Sequence, residues 1–313
     1  MTDAPAARRH RFDALIERAC ALPPLRVGVV HPCDAAAMEA VEQARAAGLV
    51  VPVLIGPRAR IEAAASASGT SLHGIELIDT PHSHASAEEG VRLAAQRRVD
   101  ALMKGSLHTD ELLEAVVAPD GLRTGRRISH VYVMDVPAYE RLLLVTDAAV
   151  NVAPDLSAKR DIVQNAIDFA HVLGIAAPRV AVLAAVETVN PKMPSTLDAA
   201  ALAVMARRGQ ISGGLVDGPL AFDNAIDRAA ARAKGLDSPV AGQADILLVP
   251  DIEAGNMLAK QLLYFADADG AGLVLGARVP VILTSRADSV RVRVASVALA
   301  SLLARAPRPR AGD

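Results

Sequence analysis

Between residues 25 and 105, short apolar runs alternate with longer amphipathic ones, and this alternation constrains the fold more than any other feature. LRVGVVH is followed by MEAVEQARAAGLV, VPVLIG by a helical stretch and IELID, and EEGVRLAAQRR by DALMKG. Strand-length runs that are apolar throughout are buried on both faces, and successive ones separated by a helix pair in parallel through crossovers. The first half therefore predicts a doubly wound parallel sheet. Composition agrees: 52% of the 313 residues are hydrophobic, with no Trp, three Tyr and four Phe, a palette for helices packed tightly on strands.

The pattern resumes after a break. TDELLEAVVA predicts a helix with Thr109 or a neighbour as its cap, and APDGLRTGRR is a loop of turn formers and basic residues. HVYVMDVP, RLLLVTDAAV, a helix from about Asp161 to Leu173, RVAVLAAV, the helix LDAAALAVMARRG, SGGLVDGPLAFDNA and ADILLVPD form a second α/β set. The chain is long enough for two cores. The boundary falls near residue 128, and a last helix from roughly Val290 to Ala304 returns to the first domain. This gives one α/β domain of residues 1–128 plus 272–313 and another of residues 129–271.

Charge and cysteine content narrow the function. A formal net charge of −2, with basic residues dispersed and few aromatics, leaves no footprint for nucleic acid. No apolar stretch is long enough for a membrane span, and the N-terminus lacks the apolar core of a signal peptide, so a cytoplasmic protein is expected. Two cysteines, Cys20 and Cys33, are too few for a disulfide scaffold in a chain this long. The chain contains neither GxxxxGK[ST] nor a strand-linked GxGxxG, which removes the standard nucleotide cradles.

Chemistry-bearing residues cluster where strands end, the usual place for ligands in α/β sheets. KGSLHTD follows a strand and opens a helix, so Lys104, Gly105, Ser106, His108 and Thr109 are candidates to hold an anion such as phosphate; helix capping by Ser106 and Thr109 is the competing account. RRISHVYVMDVP sets Arg127, Ser129 and His130 at the start of a strand. His130 reads equally as a structural histidine, because no cysteine or carboxylate cluster marks a metal site beside it. TDAAVNVAPD offers Asn151, with Asp155 or Ser157 as the cap of the next helix. DGPLAFDNAID reads as a Gly-Pro turn and a helix with Asp223 and Asp227 on one face. In PDIEAGNM a loop carries Asp251, Glu253, Gly255 and Asn256. An apolar strand, Val279 to Leu283, delivers TSRADS, where Ser285 and Arg286 suit a phosphate or carboxylate and Asp288 is a nearby acid; capping by Ser285 or Asp288 is the alternative there. No metal is required by any of these spacings.

Five segments in this order, KGSLHTDELL, RRISHVYVM, DAAVNVAPD, DGPLAFDNA and PDIEAGNMLAK, resemble the phosphate acetyl/butyryl transferase family, with GLRTGRRISHV and DGPLAFDNA closer to the butyryl-type branch. The resemblance implies two doubly wound α/β domains with an interdomain cleft, as in the isocitrate and isopropylmalate dehydrogenases, assembled as a homodimer. It also implies interconversion of acyl-CoA and phosphate with acyl phosphate and CoA, without a resident cofactor, coenzyme A and its thioester being substrates. The family's Ser-Arg pair falls on Ser285 and Arg286. Two positions depart from the acetyl-type pattern: Val292 stands where its catalytic aspartate is expected, leaving Asp288 as substitute, and Glu114 and Ala115 occupy the region of its second arginine, shifting phosphate binding to Lys104 or Arg127. The rival readings are an NAD-dependent decarboxylating dehydrogenase of the same fold and a non-catalytic CoA-ester-binding sensor.

Overall fold

The computed structural model describes residues 10–283 and 288–306. Helix α1 (His10–Cys20) leads into strand β1 (Leu25–Val30), followed by α2 (Ala35–Ala46), β2 (Val50–Gly56), α3 (Arg58–Ser68), β3 (Glu76–Asp79), α4 (Ser83–Ala95), β4 (Ala101–Lys104) and α5 (Thr109–Val117). Then come β5 (Ser129–Asp135), β6 (Leu142–Thr146), α6 (Leu156–Leu173), β7 (Arg179–Leu183), α7 (Pro194–Arg207), β8 (Leu215–Leu220), α8 (Phe222–Ile226), α9 (Arg228–Ala233), β9 (Ile246–Leu248) and α10 (Ile252–Phe265). Strands β10 (Asp269–Leu275) and β11 (Val281–Ile282) and helix α11 (Val290–Arg305) follow. Two compact units result. The β1 unit holds residues 13–126 and 271 onward; the β6 unit holds 127–270 with the chain up to Phe12.

In the β1 unit the strands lie in the order β3-β2-β1-β4-β11-β10. β1 is parallel to β2 and β4, β2 to β3, and β11 to β4, while β10 and β11 are antiparallel. The apolar runs are buried as their composition requires: Val27, Val29, Val30, Leu54, Ile55 and Leu102 are all in the core. Helix α11 packs on α2, and α4 on α5 and on β1, β2 and β4. Asp34 starts α2 by accepting from the Ala37 N–H at 2.9 Å.

In the β6 unit the order is β5-β6-β9-β7-β8. Here the sequence reading needs correction. β5 and β6 form an antiparallel pair, Val133 opposite Leu144, whereas β6, β9, β7 and β8 are mutually parallel. Residues 136–141 are too few for a parallel crossover, which takes about a dozen. The Gly-Pro of DGPL lies inside β8 rather than in a turn, and Asp223 and Asp227 do not share a helix face: α8 ends at Ile226, and Asp227 caps α9 by accepting from Ala229 and Ala230. The residues after β9 are not a loop either. Asp251 caps α10, accepting from Ala254 N at 2.9 Å, so Glu253, Gly255 and Asn256 belong to its first turns. Helix α6 begins at Leu156 under the Asp155 cap, before the expected Asp161.

Candidate active site

In the β1 unit the chain winds from β1 outward through β2 to β3, then returns to place β4 on the other flank of β1. The gap between the carboxyl ends of β1 and β4 is thus a topological switch point, where open α/β sheets bind ligands. Gly105 closes its floor. A Cβ there would lie 2.5 Å from the Val30 oxygen and 2.6 Å from the His31 oxygen, both fixed backbone atoms. Gly105 N donates to Val30 O at 2.8 Å, and Ser106 binds His31 O through its amide at 2.9 Å and its Oγ at 2.8 Å. Ser106 Oγ also accepts from Cys33 N at 3.1 Å, so this serine stitches the two strand ends together. Lys104 Nζ donates to the carbonyls of Gly105 (3.2 Å) and Leu107 (3.4 Å), holding the ammonium at the loop.

His108, exposed, occupies the N-cap position of α5 without a side-chain cap bond; Thr109 is the first helical residue rather than the cap. β11 runs parallel to β4 with Ile282 opposite Met103, toward the same edge of the sheet. Ser285 and Arg286 lie outside the described residues. Asp288 precedes α11, whose cap is neither Asp288 nor Ser285 but Ser289, which accepts from Val292 N at 3.3 Å. His31 is the residue here that sequence reasoning missed. Its φ of 55° is a left-handed conformation at the end of β1, and its buried ring places Nδ1 3.1 Å from Ser86 Oγ and Nε2 3.4 Å from Arg60 Nη1. Burial, then the Arg60 charge, lower its pKa. A His-Pro-Cys-Asp run directly after a strand was the available signal.

The β6 unit carries a second polar cluster, where the start of β5, the end of β6 and the first turns of α6 and α10 converge. Its centre is Asp147, 2% exposed, just past β6. Oδ1 accepts from Ala149 N (2.9 Å) and Val150 N (3.0 Å), and Oδ2 from Asn151 N (3.2 Å) and Asn151 Nδ2 (2.6 Å). Asn151 Nδ2 also donates to Ile128 O at 2.9 Å, and its Oδ1 accepts from Arg127 Nε at 2.9 Å. Two residues of α6 hold the other side of the Arg127 turn. Asp161 accepts from Arg127 N at 3.0 Å, while Asn165 Nδ2 donates to Arg127 O (2.9 Å) and Ser129 Oγ (3.0 Å). Arg127 itself is exposed.

Ser129 and His130 are fully enclosed, so they shape the turn from inside. His130 stacks edge-on against Tyr132 at 4.5 Å. Burial lowers its pKa to about 4 despite the opposing pull of Asp147. Helix α10 docks on the same turn. A Cβ on Gly255 would meet Asp147 O at 2.7 Å and Val249 Cγ2 at 2.7 Å, and Asn256 Nδ2 reaches Ala148 O at 3.3 Å. Asp251 is spent on capping, and Glu253 is exposed. Asp161 and Asn165 were missed by sequence reasoning, although two polar residues four apart on a largely buried helix mark a face that is doing something other than packing.

Asp155 ties the cluster to charge. Its pKa is held below the usual carboxylate range by the Ala158 N–H, then Ser157, with Arg127 contributing. Arg127 thus lies near enough to act on the Asp155 carboxylate. Among the described residues no group of three or more His, Cys, Asp or Glu is placed to hold a metal ion, and no helix is long and apolar enough to cross a membrane.

Comparison with known proteins puts these features in one family. Residues 85–301, more than half of the chain, match the family described as phosphate acetyl/butaryl transferase. A phosphate acetyltransferase of Rhizobium meliloti is 57% identical over 299 residues, covering 95% of both chains. A phosphate butyryltransferase of Clostridium acetobutylicum is 42% identical over 294 residues, covering 94% of this chain and 98% of that one. The higher identity thus lies with the acetyl-type protein, although GLRTGRRISHV and DGPLAFDNA had pointed to the butyryl type. A branched-chain phosphotransacylase from Enterococcus faecalis V583 superposes with a TM-score of 0.78 at 30% identity, covering 90% of this chain and 99% of that structure. With an ordered set of strand-end motifs, two α/β units to carry them and relatives matched along nearly the whole length, the chain belongs to the phosphate acetyl/butyryl transferase family.

Proposed function

We infer that this chain is an acyltransferase that interconverts acyl-CoA and phosphate with acyl phosphate and CoA, taking acetyl or another short acyl group. The observation that carries the reading, beyond family membership, is the exposed Arg127 held by three residues, Asp161, Asn151 and Asn165, a cation already fixed in place. A phosphate oxygen attacks the thioester carbonyl carbon, the tetrahedral oxyanion collapses, the C–S bond breaks and CoA leaves as its thiolate. A thiol with a pKa of about 8.5 is a good enough leaving group that no covalent enzyme intermediate is needed. Ordering phosphate against the thioester supplies up to roughly 7–11 kcal/mol of the barrier reduction.

Lys104 or Arg127 is the phosphate-holding group in this reading; Ser285 and Arg286 keep the role that the family resemblance gives them, with Asp288 as proton carrier. No resident cofactor enters the scheme. Two unpaired cysteines, Cys20 and Cys33, support a cytoplasmic setting. A homodimer is supported by Met257, Tyr264 and Phe265, which α10 presents at 60%, 76% and 92% exposure.

The test is phosphate-dependent CoA release from acetyl-, propionyl- and butyryl-CoA, followed with a thiol reagent. Release that requires phosphate, and a phosphate KM raised at least about tenfold in Arg286→Ala, supports the scheme. CoA binding without turnover of any ester would replace it with the sensor reading.

A further inference from the structure

Arg127 binds the protein in an unusual way. Its backbone N–H and C=O are both taken, by Asp161 and Asn165, and of its side chain only Nε is used, at 2.9 Å from Asn151 Oδ1. Among the described residues neither Nη group has a partner. A guanidinium serving structure alone spends its fork on carboxylates or carbonyls; this one is anchored at the root through Nε and belongs to an exposed side chain, and a guanidinium's two Nη groups suit two oxygens of a phosphate.

The anchor is itself anchored. Asn151 is 5% exposed, and its amide is fixed in one orientation because Nδ2 donates to Asp147 Oδ2 and Ile128 O, which leaves Oδ1 pointing at Arg127. Asp147 is immobile in turn, with three backbone N–H groups and the Asn151 amide on its carboxylate. The carboxylate does not touch the arginine. It sets the amide that sets the guanidinium, so the cation is held in place through a neutral amide instead of a direct ion pair, with the Asp155 carboxylate acting on it only through space.

We propose that Asp147 and Asn151 are positioning residues that act as a relay, aiming the Nη groups of Arg127 at the phosphate of the transfer reaction. The inference rests on the proposed function for the identity of the anion. The arrangement makes a specific demand: Asn151 matters to phosphate only through Arg127.

A double-substitution cycle reads that demand directly. Binding of inorganic phosphate is followed by 31P NMR titration in wild type, Arg127→Ala, Asn151→Ala and the double variant, alongside the phosphate KM in the CoA-release assay. Each single substitution is expected to weaken phosphate about tenfold, the double no more than Arg127→Ala alone, with kcat changed less than about twofold. Arg127→Lys serves as a second background: it alters an exposed side chain, keeps the charge and lacks Nε, so adding Asn151→Ala should again change nothing. Thermal melts report whether the Asn151 variant is folded; should it be unfolded, weakened phosphate binding in Arg127→Lys alone carries the proposal. Unchanged phosphate binding in folded Asn151→Ala, losses that multiply in the double variant, or no phosphate binding by wild type would overturn it. The cycle closing by NMR while no acyl-CoA is turned over would leave the relay standing and remove the proposed function instead.

Discussion

His130 shows what enclosure does to a histidine at the start of a strand. Enclosed and stacked on Tyr132, it resists protonation, with a pKa lowered from 6.5 to about 4 chiefly by burial. An unfolded chain takes up that proton near pH 6.5, so between pH 6.5 and 4 the unfolded state binds more protons, and stability falls as pH drops through the window. His31, also lowered, slopes the same way. The imidazole of His130 is therefore isolated by comparing urea unfolding of wild type and His130→Gln from pH 7 to 4: the wild type should lose up to about 3 kcal/mol more than the variant across the range. Parallel pH profiles would show that His130 is protonated in the folded state. At this scale the sequence showed which residues stand at strand ends, Lys104 to Thr109 and Arg127 to His130 among them. It did not show which face solvent, because packing on both sides of the sheet decides which are enclosed: Ser129 and His130 point opposite ways in β5 and both are sealed, while Arg127, just before the strand, is exposed.

Among the elements, α10 illustrates a misreading with a physical cause. PDIEAGN has the turn-forming look of a loop, yet Asp251 is an N-cap and Gly255 is present because the helix approaches the Asp147 turn too closely for a side chain. Capping predicts a mild, purely structural phenotype. Asp251→Ala should lower stability to urea by about 1 kcal/mol, and Asp251→Ser should restore most of it, with phosphate KM unaltered in both. A rise in KM comparable to that of Arg127→Ala would make Asp251 a ligand instead. β10 went unrecognised because its DGAGLVL opens with four residues poor in strand propensity, although the strand is buried from Gly270 onward. The β5–β6 hairpin was readable from its short connection. Most helices and parallel strands of the first half were legible, since their burial pattern depends on local periodicity alone.

For the whole molecule, the sequence showed two α/β sets but not which exposed surface is functional. Exposed apolar residues on α10 look like any others until the helix is folded: Met257, Tyr264 and Phe265 are spaced so that burial of one face leaves them outward. If they join two copies, sedimentation of the wild type should give twice the 32.5 kDa of one chain, and Tyr264→Ser with Phe265→Ser should shift it toward a single chain. A wild type that sediments as a monomer at all concentrations would end the homodimer proposal.

The β1 unit is discontinuous, and this has a consequence for the order of synthesis. β4 takes β11 as its parallel neighbour, and α2 takes α11, yet both partners are translated after the entire β6 unit has emerged. On the ribosome the contiguous stretch from residue 127 to 270 is the first whose sheet can be completed. The earlier-made strands must wait with the β4 edge unpaired, a row of free amides and carbonyls open to foreign strands. For this protein the strand and helix that close the first sheet begun, β11 and α11, are made only after the whole β6 unit.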